Sequence, residues 1–95
     1  MVDAIAHCGV PVPAAVAERC IKEAAAFSGF GRYSFANNPW MLRGTGDRGF
    51  WSITRVWRDY STANNGGYRP EVEKCAKFSS LSVGVRAWLK AHGVA

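Results

Sequence analysis

Pro13 on one side and Gly29 with Gly31 on the other bracket the stretch from Ala14 to about Ser28, where Val16, Ala17, Cys20, Ile21, Ala24 and Phe27 recur at steps of three and four. That period belongs to a helix with one apolar stripe. Proline fits a helix's first turn and glycine its end, so this is the main helix of the chain. Glu18, Arg19 and Lys22 fall largely off the stripe, and Glu23 lies at its border.

The rest arranges itself around that helix. At 95 residues the chain is one small domain, 1–95, with an ordinary globular composition. Asp3 can cap a short helix running to Cys8, which Gly9 ends, and Val10-Pro11-Val12-Pro13 is a rigid extended connection. Phe50 to Arg58 alternates as a strand, with Trp51, Ile53, Arg55 and Trp57 on one face. Pro70 to Phe78 reads as a second strand, and the turn-rich 59–69 segment joins the two into a hairpin. Ser79 or Ser80 can cap a last helix with an apolar stripe of Leu81, Val85, Trp88 and Leu89, stopped by Gly93. The expected fold class is α+β.

Between main helix and hairpin lies the stretch Phe27 to Gly49. It mixes aromatics (Phe30, Tyr33, Phe35, Trp40), the amides Asn37 and Asn38, three arginines and five glycines. Such a mixture suits a groove wall, where ring faces stack and backbone approaches a ligand. It equally suits a loop whose aromatics plug the domain's own core. The groove reading puts Tyr33 to Tyr60 along one cleft. The Gly44–Gly49 run lacks a GK[ST] ending and opens no helix, so it is a poor phosphate loop.

A formal charge of +5 favours an anionic partner: nucleic acid, a cell-wall polymer or a membrane surface. No Lys/Arg run forms a nucleic-acid tail, and no nucleic-acid motif is recognisable. Cys8, Cys20 and Cys75 make an odd set without a CxxC, and His7 and His92 stand near opposite ends, so neither a disulfide framework nor a zinc site is expected. The thiols are expected to be reduced and structural, and no cofactor or metal is implied. No signal peptide and no membrane-spanning run is visible, which points to synthesis in the cytoplasm, with delivery by other means if the target is the periplasm or cell wall.

Three short motifs stand in order: Ser28-Gly29-Phe30-Gly31; Asn37-Asn38-Pro39-Trp40 with Arg43-Gly44; and Ala76-Lys77-Phe78-Ser79 with Ser80. Together with the helix–hairpin–helix order they resemble the flagellar-type N-acetylglucosaminidases, bacterial and phage peptidoglycan hydrolases of the lysozyme-like superfamily. The resemblance covers most of the chain. It implies a lysozyme-like α+β domain that hydrolyses a β-1,4 bond between amino sugars, with peptidoglycan as substrate and a phage or secretion-apparatus protein as a candidate partner. The family carries its catalytic Glu at the end of the main helix. Counted back from Ser28-Gly29-Phe30-Gly31, that position is Phe27; counted forward from Pro13, it is Glu23, one helical turn earlier. Two readings therefore stand: Glu23 as a displaced general acid, its pKa raised by apolar surroundings, or a non-catalytic relative that binds glycan or protein. No acid occupies the hairpin position of the second carboxylate, for which Asp47 and Asp59 are the nearest substitutes. Tyr33, Asn37, Asn38, Trp40, Arg43, Trp51 and Tyr60 are the candidate sugar-binding residues. A basic nucleic-acid module is the remaining alternative.

Overall fold

The computed structural model describes residues 1–29, 35–60 and 66–94, with the backbone alone of Arg55. In chain order it forms α1 (Val2–Ala6), α2 (Ala14–Ser28), β1 (Phe50–Arg58), β2 (Tyr68–Ala76) and α3 (Leu81–Ala91), an α+β domain.

The main helix keeps the bounds read from its sequence. Pro13 sits one residue before it, at the cap, with φ −59° and ψ 149°. Its carbonyl accepts the Ala17 N–H at 2.9 Å. Gly29 closes α2 in the left-handed conformation, φ 60° and ψ 46°, where a Cβ would be strained, and its N–H reaches the Ala25 carbonyl. The buried stripe differs from the expected one. It runs through Cys20, Ala24 and Ser28, whereas Ile21 and Phe27 are 36% and 59% exposed. Small side chains at four-residue steps let a neighbour approach the helix closely, and that neighbour is Trp40. Its indole N–H donates to the Cys20 carbonyl at 3.0 Å.

At the N-terminus, α1 starts at Val2 and ends at Ala6, so Asp3 lies in its first turn and caps nothing. The core gathers Ala4 and Cys8 from the N-terminal segment, Cys20 and Ala24 from α2, Trp40, and Val85, Trp88 and Leu89 from α3. Ser80 caps α3 as its sequence suggests, its hydroxyl accepting from the Val83 N–H at 3.2 Å.

β1 and β2 pair antiparallel from Phe50↔Ala76 at the base to Arg58↔Tyr68 at the far end. β2 starts and ends two residues earlier than expected, because the reversal is already closed by Asp59 and Gly67, whose N–H and carbonyl meet at 2.8 Å. Pro70 is accommodated within β2, opposite Val56. In a two-stranded ribbon a missing N–H can face away from the partner strand. At the base, Arg43 bridges Cys75 on the other edge of β2. Gly44 N–H to Lys74 carbonyl (3.0 Å) and Ala76 N–H to Leu42 carbonyl (2.9 Å) extend that strip. Cys75 and Ala76 are buried, while Tyr68 to Val72 are exposed. The hairpin is therefore rooted in the body and projects from it. The molecule measures 50 × 26 × 26 Å with a radius of gyration of 15.9 Å; a compact chain of this length would have about 12 Å.

Candidate functional site

Glu23 emerges from the third turn of α2 and is fully engaged. Its carboxylate accepts the Trp88 indole N–H at 2.7 Å. It pairs with Arg19 at 3.3 Å and stands 3.5 Å from His92 Nε2. The His92 ring stacks on Trp88, centroids 4.1 Å apart. Partial burial pushes the carboxyl's pKa up, but the Trp88 N–H, the Arg19 guanidinium and the neighbouring His92 imidazole together outweigh burial and hold it below the ordinary value. This reverses the shift expected from an apolar setting. In this arrangement Glu23 is ionised near neutrality and joins α2 to α3; it does not hold a proton for a leaving group.

The substitutes for a second carboxylate are also occupied. Asp47 accepts the Ser79 hydroxyl and, at 3.0 Å, the Ser79 backbone N–H. The Ser79 hydroxyl is the main reason its pKa is lowered. Asp59 faces Arg69 at 3.8 Å in the reversal of the hairpin.

Of the expected sugar-binding residues, two are core. Trp40 is 4% exposed and has no free ring face. Asn38 is 2% exposed. Its amide donates to the Leu42 and Ala76 carbonyls, both at 3.0 Å, and accepts the Leu42 N–H at 2.8 Å. Asn38 is thus the pin that holds the 38–42 turn against β2, because a buried amide must fill its donors and acceptor. Asn37 is exposed but its amide N–H is spent on the Phe78 carbonyl at 2.9 Å. Arg43 is ion-paired with Glu73. Tyr60 lies beyond the far end of β1, 78% exposed, with Arg58 5.8 Å from its ring centroid. Ten residues of extended chain separate it from Phe50 at the base, about 30 Å. Tyr60 and Trp40 therefore do not line one cleft. Tyr33 itself lies outside the described residues.

Trp51 is the expected residue that does sit on an aromatic surface. It is half-buried at the hairpin base and meets Phe35 edge-on, centroids 5.0 Å apart at 72°. Phe35 is 51% exposed. The Trp51 indole N–H finds no acceptor among the described residues. Sequence reading placed Phe35 in the aromatic stretch but had no signal for its pairing with Trp51, which is made across fifteen residues of intervening chain. Nor could it see that Trp88, read simply as stripe, holds Glu23.

Cys8, Cys20 and Cys75 are buried free thiols. Burial pushes the Cys20 thiol up to about 11, so it stays protonated. His7 binds the Asp3 carbonyl and Cys8 approaches the Val10 carbonyl, so the two neighbours form no nucleophile pair. Among the described residues no cluster of His, Cys, Asp or Glu could hold a metal ion. No helix there is long and apolar enough to cross a membrane. Comparison of the chain with protein-family models, curated proteins and solved structures finds no match.

Proposed function

We propose that this chain is a non-catalytic glycan-binding module, related in design to the peptidoglycan hydrolases its motifs resemble. The observation that carries this reading is the state of Glu23. The one main-helix carboxylate near the expected position of the acid is ionised and bound to Trp88, Arg19 and His92. The alternative position is filled by Phe27, an exposed aromatic with no proton to give. What remains of a sugar site is the Phe35–Trp51 pair, in which the Phe35 ring is half exposed. Aromatic faces stack on the apolar faces of pyranose rings, and the formal charge of +5 suits an anionic wall polymer.

The test is sedimentation with purified peptidoglycan sacculi at low and high salt, with turbidity followed in parallel. Binding is expected to persist at high salt, to weaken on Trp51→Ala, and to leave the sacculi intact. Clearing by the wild type that Glu23→Gln abolishes would restore the hydrolase reading. Binding that collapses steeply with salt would indicate a polyanion held by charge, as for nucleic acid.

A further inference from the structure

The two edges of the hairpin are not alike. Which backbone groups each edge presents follows from the hydrogen bonds at the two ends. The Asp59 N–H donates to the Gly67 carbonyl at 2.8 Å, and the Lys77 N–H to the Gly49 carbonyl at 3.0 Å. Between these bonds the register runs one to one from Phe50↔Ala76 to Arg58↔Tyr68. Residues of an antiparallel pair alternate between bonding their partner and facing away from it. Hence Phe50, Ser52, Thr54, Val56 and Arg58 turn their backbone groups away from β2. Tyr68, Pro70, Val72, Lys74 and Ala76 likewise turn theirs away from β1. The bonds of Lys74 and Ala76 to Gly44 and Leu42 agree with this.

The β2 edge is guarded. Its base is covered by the 42–44 strip, and Pro70 removes a donor further out. The β1 edge has none of these devices. It is nine residues long, without proline, lysine or bulge. Among the described residues no hydrogen bond reaches its outward backbone groups. Two strands alone make a marginal sheet, and beyond the base this ribbon buries little against the helices.

The β1 edge is also complementary to itself. Set antiparallel about a two-fold axis at Thr54, two copies align all nine residues, and each of the five outward ones exchanges a pair of hydrogen bonds. Trp51 of one copy then lies opposite Trp57 of the other, Thr54 opposite Thr54, and Phe50 opposite Arg58, all favourable cross-strand pairs. An axis at Ile53 or Arg55 leaves an end unpaired, and at Arg55 it sets arginine against arginine. Antiparallel pairing also sends the two helical bodies to opposite ends of the sheet. We infer that β1 is an interface strand, through which two copies of the chain form a four-stranded sheet in the order β2–β1–β1–β2. A strand edge about 30 Å long buries less than the ~1,000 Å² of a stable complex, so the association is weak and depends on concentration. It needs no glycan and stands independently of the glycan reading.

Sedimentation equilibrium of the full chain, without glycan, from about 10 µM to about 1 mM tests this. A reversible monomer–dimer equilibrium is expected. Thr54→Pro should weaken it about tenfold or more, because both bonds at the axis are lost. Thr54 has its N–H turned outward as Pro70 does, so the hairpin's own bonds survive the change. Thr54→Lys, which keeps the backbone donor, sets like charges opposite each other and should weaken association about fivefold. Val72→Lys adds the same charge opposite Thr54 on β2, away from the axis, and should change the dimer less than Thr54→Lys does. A chain that stays monomeric to 1 mM overturns the inference, as does mass growth beyond the dimer. Full association by both Thr54 variants overturns it too, and so does a Val72→Lys variant weakened as much as Thr54→Lys.

Discussion

Glu23→Ala and Glu23→Gln separate two jobs that one carboxylate performs. Trp88 is 1% exposed, and its indole N–H donates to Glu23 at 2.7 Å. Alanine removes the acceptor and leaves a donor unsatisfied at the edge of the core, which costs about 1–3 kcal/mol. The lost Arg19 pair adds little, because the Arg19 side chain is 62% exposed and such i,i+4 pairs contribute only about 0.3–0.5 kcal/mol. Glutamine keeps an oxygen where the indole points and gives up only the charge, so its cost should stay below about 1 kcal/mol. In a domain of this size 1 kcal/mol moves the midpoint by about 4–8 °C. The alanine variant should therefore melt about 10 °C lower and the glutamine variant within a few degrees of wild type. Thermal melts followed by far-UV circular dichroism give the midpoints and urea unfolding the free energies, with equal m-values as the sign that the unfolded ensemble is unchanged. Equal losses for the two variants would show that charge, not the acceptor, matters. An alanine variant as stable as wild type would show that water replaces the carboxylate, and the reasoning about Trp88 would fail.

Two further outcomes follow from packing and titration. A Cβ added at Gly84 would lie 2.5 Å from the Asn37 carbonyl oxygen and 3.0 Å from Trp40 Cζ3. Gly84→Ala should thus destabilise by about 1–2 kcal/mol in urea despite alanine's helix propensity, and a stabilised variant would refute the close approach of α3 to the 37–40 turn. Glu23 and Asp47 both have folded pKa values below their ordinary 4.5 and 3.8. Their contributions are complete above those ordinary values and are lost as pH falls through the lowered ones, so stability should decline from about pH 5 downward, with a shallower decline in Glu23→Gln; an unchanged acid limb would count against the Glu23 shift.

The local grammar of the chain was legible where short-range chemistry sets it. Pro13 and Gly29 bound α2, strict alternation bounds β1, and Ser80 caps α3, all within a residue of expectation. What could not be read was which apolar residues face inward. Ile21 and Phe27 have the right period for the α2 stripe yet lie outside it, because Trp40 chooses the Cys20–Ala24–Ser28 side. Trp40 and Asn38 have the residue types of a sugar site, and the same types serve a buried tryptophan and a buried amide; only the hydrogen bonds to Cys20, Leu42 and Ala76 tell the uses apart. Tyr60 follows β1 by two residues, and nothing in that spacing reveals that β1 leads away from the helices.

The projecting hairpin divides the molecule's stability into two levels. Beyond the base, its strands bury little against the helices, so parting them sacrifices cross-strand hydrogen bonds and side-chain pairs but no core contact. A two-stranded ribbon is marginal by itself. Its far end should therefore open at a fraction of the free energy needed to unfold the helices, as a separate cooperative unit. Trp57 belongs to that unit, whereas Trp40 and Trp88 belong to the helical one. Total tryptophan emission thus sums two equilibria, and a midpoint fitted to it as a single transition describes neither.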